Sequence, residues 1–184
     1  MSGLHHALVV GGSGMLAGFC LKLLDRYGTL SVLARNGAQI AAISPRIHPL
    51  VCDYNDAAAV NAALAADAVD QGVPDLVVVW VHGLAPDLRR RLARAVKAGG
   101  RFVQILGSAH GDPAHPERLE AMAAAVHGLP IDYQAIVLGF VVEGGHSRWL
   151  TNDEISDGVF AAIERGAPLS TVGTLSPWSA RPQT

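Results

Sequence analysis

Two segments, LVVVWV at positions 76–81 and DYQAIVL at 132–138, carry apolar residues at nearly every position instead of at every second one. A strand with one face in water alternates, whereas a strand covered by helices on both faces does not. This feature restricts the chain to layered α/β packings, because uninterrupted apolar strands belong to parallel sheets whose crossovers are helices. The rest of the sequence agrees. Strands are expected at Ala7–Gly11, Leu30–Ala34, Ile47–Cys52, Leu76–Val81, Arg101–Leu106, Ile131–Leu138 and Ser170–Val172. Between them, helical periodicity predicts helices at Gly14–Tyr27, Ala38–Ile43, Asp56–Ala66, Pro86–Ala98, Pro116–His127 and Asn152–Arg165. Asp56 and Thr151 or Asn152 stand where N-caps belong, Pro86 suits a first helical turn, and Gly99-Gly100 and Gly128 end the helices before them. Right-handed crossovers then give a doubly wound, mainly parallel sheet of about seven strands with helices on both faces and a ligand site at the carboxyl ends of the strands.

A chain of 184 residues has room for one domain, 1–184, and removes roughly 70% of its unfolded surface from water. With 16% charged residues and a formal net charge of −2, it lacks the basic surface that nucleic acid would need. The arginines at 89, 90, 91 and 94 are expected on the solvated face of an amphipathic helix. Cys20 and Cys52 fall in apolar segments without metal-ligand spacing, which predicts buried free thiols and suits a reducing cytoplasm. No apolar run approaches the length of a membrane span, and the first strand begins too early to leave room for a signal peptide.

The first expected strand leads into its helix through Gly11, Gly12, Ser13, Gly14, Met15 and Leu16, followed by Ala17 and Gly18. Read as GxGxxA from Gly12, this is the turn that brings backbone close to a pyrophosphate and aims helix-start amides at it. Its place as the first βα connection is the confirming context for a dinucleotide-binding Rossmann domain. After the second strand, where an NAD-selective site commonly has an acid, stand Arg35 and Asn36. A guanidinium there can pair with a 2′-phosphate, so the expected cofactor is NADP, with NAD as the alternative. A solvent-facing arginine at a strand end is the structural alternative.

On these residues the chain resembles the short-chain dehydrogenase/reductase superfamily. Four segments carry the likeness: GGSGMLAG, CDYND after the third strand, GRFVQILGSAHG at the fifth, and LGFVVE after the sixth. The resemblance implies that Asp53, with Tyr54 beside it, meets the adenine, that Ser108 is the family's catalytic serine, and that Gly139 and Phe140 lie near the nicotinamide. In the fourth-strand position the family's Asn-Asn-Ala-Gly segment is replaced by WVHG, which puts Val81 and His82 beside the cofactor. Leu138 replaces a usual proline. The family's Tyr-x-x-x-Lys pair is missing: the only lysines are Lys22 and Lys97, and neither has a tyrosine four residues before it.

Reduction of a carbonyl or imine then either needs no dedicated side-chain acid or takes its proton from another residue, and His82, His110 and His146 are the histidines near the carboxyl ends of strands four to six. His110, two residues after Ser108, has the best combination of position and acidity. Ser108 can orient a substrate by a hydrogen bond. Tyr133, early in its strand, is expected to pack, and Trp80 and Trp149 either line an apolar pocket or join the core. GGHSRWLTNDEIS lies where the resemblance implies substrate-binding residues or a lid, its two glycines permitting movement, with Arg148 either receiving a substrate anion or pairing with Asp153 or Glu154. No metal-binding histidine motif appears. The apolar VFAAI segment could face a second copy in a homo-oligomer or could equally face the core. A small-molecule NADP-dependent oxidoreductase is the function expected; a non-catalytic dinucleotide sensor is the alternative.

Overall fold

A computed structural model describes residues 6–183. The strands are β1 (His6–Val10), β2 (Thr29–Ala34), β3 (His48–Val51), β4 (Leu76–Val79), β5 (Arg101–Leu106), β6 (Asp132–Leu138), β7 (Phe140–Glu143), β8 (His146–Trp149) and β9 (Leu169–Val172). The helices are α1 (Ala17–Arg26), α2 (Gly37–Ile43), α3 (Ala57–Asp70), α4 (Pro86–Arg94), α5 (Glu117–Ala124) and α6 (Asn152–Arg165). Seven strands form one sheet in the order β3, β2, β1, β4, β5, β6, β9, and every pairing in it is parallel. The order reverses between β1 and β4, the switch point at which doubly wound sheets bind ligands.

Successive side chains of a strand point to opposite faces, and the core divides accordingly. Ala7, Val9, Leu30, Val32, Leu76 and Val78 pack under α1, α2 and α6. Leu8, Val10, Leu33, Val77, Val79 and Phe102 pack under α3 and α4. Both faces are buried, as the uninterrupted apolar runs require.

The structure departs from the sequence expectations at four places. The LVVVWV run leaves the ladder after Val79, and Trp80 and Val81 continue into the loop. Residues 12–16 form a turn, so α1 begins at Ala17 and not at Gly14. The segment after β6, where no strand was expected, forms an antiparallel hairpin, β7 against β8. Its two glycines make the tight connection: Gly144 and Gly145 have φ of 57° and 82°, the left-handed region that such a turn demands. The arginine cluster, finally, is not all solvated. Arg89 is 5% exposed and donates through Nη2 to the Leu84 carbonyl at 3.2 Å, while Arg90 donates to the carbonyl of Ala125 at 3.1 Å. In the VFAAI segment Val159, Ala162 and Ile163 are buried against the sheet, so that stripe faces the core. Among the described residues no helix is long and apolar enough to cross a membrane.

Polar fastenings occur at both ends of the sheet. At the amino ends of the strands, the buried Asp67 of α3 accepts a hydrogen bond from Ser31 Oγ at 2.7 Å and lies 3.0 Å from His48 Nδ1. His6 Nε2 is 3.0 Å from Ser31 Oγ, and its Nδ1 meets the Gly72 carbonyl at 2.6 Å. Three strands and a helix are thereby tied through one carboxylate. At the other end, Thr151 and Glu154 form a capping box at the start of α6. Arg148 of β8 grips the same carboxylate with two nitrogens at 2.8 and 2.9 Å, fixing the hairpin to the helix.

Each fastening makes a prediction. Asp67→Ala leaves Ser31 and His48 without their acceptor and removes the carboxylate 3.4 Å from His6 Nε2, and urea unfolding should show a loss of about 3 kcal/mol. The Arg148 guanidinium, together with the Thr151 amide, holds the Glu154 carboxyl at about 2, well below its ordinary value. A carboxyl lowered on folding stabilises above its ordinary range and loses that contribution as pH falls toward 2. Carbon-detected NMR titration should therefore find Glu154 still ionised at pH 3, and Arg148→Met should move its midpoint upward.

Candidate functional site

Two cavities adjoin at the carboxyl ends of the strands. The larger, about 520 Å³, is walled by Gly11 from the first turn, Arg35 after β2, Tyr54 and Asn55 after β3, and Trp80 to Ala85 after β4. The smaller, about 290 Å³, is lined by Met15, Trp80, His82, Gly107, Ser108, Leu138, Gly139, Trp149, Leu150, Ile155 and Arg181, together with Ala109. Trp80 and His82 line both, and their rings meet edge to face at 4.7 Å. A tract of two neighbouring cavities thus runs from Arg35 to Ser108. It exists because the chain leaves the β4 ladder after Val79, so that a tryptophan following an apolar strand turns into the loop between the cavities.

The glycine turn divides its labour. Gly12 is a packing glycine: a β carbon there would lie 2.7 Å from Val9 Cγ1 and 3.0 Å from Cys20 Sγ. Gly14 is exposed, and a β carbon on it would meet no protein atom within 4 Å. No part of the protein fills the space in front of it. Ser13 Oγ donates to Gln39 Oε1 at 3.3 Å. Leu16 is fully buried in the core, which leaves only its backbone to face the turn, while Met15 lines the smaller cavity.

Arg35 is exposed, with its guanidinium 5.7 Å from the centre of the Tyr54 ring. Burial pushes the Tyr54 hydroxyl up, against the opposing pull of Arg35. Asn36 spends its side-chain oxygen capping α2, accepting from the amides of Ala38 and Gln39. Asp53 is exposed, and its Oδ1 accepts from the amide and side chain of Asn55 at 3.0 and 3.1 Å. The cavity wall there is made by Tyr54 and Asn55, of which sequence reading found only Tyr54. Val81 lines the larger cavity. Phe140 is fully buried and pairs with Trp149 across the hairpin, so of the expected pair Gly139 and Phe140 only Gly139 lines the smaller cavity, beside Leu138.

Of the proton-donor candidates, the structure brings His82 and Ser108 to one cavity. His110 is not among its lining residues. The chain curls into a 3₁₀ turn at Ser108–Gly111, and His110 Nδ1 sits 3.3 Å from the Gly107 carbonyl. His146 opens β8 on the exposed hairpin, opposite Glu143. Trp80 and Trp149 line the cavity and are half-buried. Arg148 is committed to Glu154, with Glu143 at 3.5 Å. The basic side chain that does reach the cavity is Arg181, from the segment following β9, whose Nε donates to the 6% exposed Ser108 at 2.9 Å. No sequence signal marks it, since Arg181 lies in a short proline-containing stretch with no periodicity. Tyr133 is remote from this chemistry: it stacks on Phe102, its hydroxyl is 3.3 Å from Gln104 Oε1, and burial pushes it up to about 12.

No protein-family model matches the sequence, and no curated protein matches it. Solved structures do match in fold. A bulky-bulky ketone specific alcohol dehydrogenase from Comamonas testosteroni superposes with a TM-score of 0.69 at 16% identity, over 97% of this chain and 90% of the other. A short chain dehydrogenase from Burkholderia cenocepacia, crystallised in complex with NADP, gives 0.68 at 18% identity over 96% and 91%. YwfH, an NADPH dependent reductase involved in bacilysin biosynthesis, gives 0.65 at 18% identity over 92% and 99%. The likeness covers nearly the whole length of each partner, and the fold of this chain is that of the short-chain dehydrogenase/reductases.

Proposed function

We propose that the chain is an NADP-dependent oxidoreductase that reduces a small carbonyl or imine compound, with the dinucleotide lying along the tract between Arg35 and Ser108. The observation that carries this reading is the sharing of Trp80 and His82 by two cavities, which joins a cationic end to a serine end. The residues present suit the cofactor. Open space faces Gly14, and a cation in place of an acid stands after β2, as a 2′-phosphate favours. Two fold neighbours are described respectively as an NADP complex and an NADPH dependent reductase, which supports the same choice.

Reduction of a carbonyl requires a hydride at carbon and a proton at oxygen; the bound dihydronicotinamide supplies the hydride. Ser108 accepts a hydrogen bond from Arg181, which leaves its own proton free to bond the substrate oxygen. A developing negative charge on that oxygen is stabilised by the serine and by the guanidinium behind it. His82 is the histidine placed to deliver the proton, because it lines the cavity and imidazole exchanges protons near neutral pH. Trp80, Trp149, Met15 and Leu138 present apolar surface that keeps water from the reacting atoms.

Anaerobic incubation with NADPH and a panel of carbonyl and imine compounds, followed by absorbance of the reduced cofactor, tests the reaction. NADPH binding without turnover of any compound would favour a sensor instead. Arg35→Ala should weaken NADPH binding by about 1.5–3 kcal/mol while hardly changing NADH binding, and equal losses in calorimetry would remove the phosphate contact. Gly14→Val should impair both cofactors by filling the open space. With a substrate identified, His82→Ala should lower kcat by roughly 10²–10⁴-fold; unchanged turnover would take the proton from another source.

A further inference from the structure

We propose that the smaller cavity selects carbonyl compounds that carry a carboxylate, with Arg181 receiving the carboxylate while Ser108 holds the carbonyl oxygen. The inference rests on the reductase reading for the role of the carbonyl, and on the following observations for the anion. After β9 the chain folds back over β7, exchanging backbone hydrogen bonds between Thr174 and Phe140 at 2.8 and 2.9 Å. It then makes a 3₁₀ turn at Trp178–Ala180 and turns Arg181 into the cavity.

The guanidinium lies 5.1 Å from the centre of the Trp149 ring and 5.5 Å from that of Trp178. Its Nε–H is used on Ser108. Among the described residues no carboxylate forms an ion pair with it, and the side chain is half-buried. A partly desolvated cation without a counter-charge is costly, and two indole faces offset that cost only in part. The other arginine of this region shows the contrast, since Arg148 is saturated by Glu154 and Glu143.

The two terminal nitrogens of Arg181 form the fork that matches a carboxylate. Because Nε is bonded to Ser108, that fork lies one guanidinium width from the serine hydroxyl. A ligand engaging both must therefore carry its carboxylate next to the carbonyl or about one carbon away, which describes 2-oxo and 3-oxo acids. The remaining wall, Met15, Trp80, Leu138, Leu150 and Ile155, is apolar and receives a hydrocarbon substituent. A cavity of about 290 Å³ limits the ligand to a small one.

All three tryptophans of the chain, Trp80, Trp149 and Trp178, belong to this site. Binding can therefore be read without turnover, by calorimetry and by tryptophan fluorescence on the full chain with NADP present. The probes are pyruvate, acetoacetate and phenylglyoxylate, each against its methyl ester. At least one acid should bind ten-fold or more tighter than its ester. Arg181→Met, which keeps the stem but not the charge, should bring the ratio of acid to ester affinity down to about one, and Arg181→Lys should restore part of it. Equal binding of every acid and its ester to the unsubstituted chain would overturn the proposal, with no variant needed. A preference that survives Arg181→Met in a folded protein would do the same. Acids held through Arg181 without NADPH oxidation would retain the anion site and remove the reductase reading. Reduction of the esters as fast as the acids would retain the reductase and remove the anion selectivity.

Discussion

Among the described glycines, Gly11 is the one whose added β carbon would come nearest to other backbone, in the loop after β4. A β carbon on Gly11 would lie 1.9 Å from the Trp80 carbonyl oxygen, and the residue sits at φ 82°, so neither the space nor the conformation admits a side chain. The Gly11 amide is bonded to the Leu33 carbonyl and the Trp80 amide to that of Val10. The end of β1 is thus pinned between its two neighbours at the switch point of the sheet. Where Trp80 leaves the ladder decides where its ring and His82 stand, and those two residues join the cavities. A second approach holds the opposite side. A β carbon on Gly139 would meet the Thr174 carbonyl oxygen at 2.1 Å, and only with that contact does the segment after β9 come near enough for Arg181 to reach Ser108.

The sheet separates stability from chemistry along its length. At the amino ends, buried polar groups are mutually satisfied around Asp67, a network that fixes three strands against α3. At the carboxyl ends, polar groups are left with bonding capacity, and they face cavities. Away from the cavities, burial pushes the Cys20 thiol up to about 12 and the Tyr133 hydroxyl to the same value, which keeps both groups neutral.

What the sequence disclosed and what it hid divide by the range of the interaction involved. The seven sheet strands and six helices follow from local periodicity, and their centres agree with expectation while their ends shift by a few residues. The glycine turn and Arg35 were legible because a short stretch of chain specifies them. The hairpin was not legible because Gly144-Gly145 between polar residues reads the same in a flexible loop as in a tight turn, and only the pairing of Phe140 with Trp149 tells them apart. Arg89 was misread for a related reason: an arginine on an amphipathic helix shows its charge in the sequence but not the Leu84 carbonyl that receives it. Arg181 gave no signal at all. Its role in the cavity comes from a contact 73 residues away along the chain, with Ser108, and no periodicity encodes such a meeting.

The two ends of the tract use the same physical device. Arg35 stands over Tyr54, and Arg181 stands over Trp149 and Trp178. An aromatic face restrains a guanidinium by attraction to its ring quadrupole without neutralising it and without occupying the nitrogens at its edge. A carboxylate partner, as Arg148 has in Glu154, restrains as well but consumes both charge and fork. Stacking therefore lowers the entropy that an anion must overcome to order the side chain, yet leaves the whole electrostatic attraction for that anion. Arg35 and Arg181, held in this way, therefore keep the charge that Arg148 spends on Glu154.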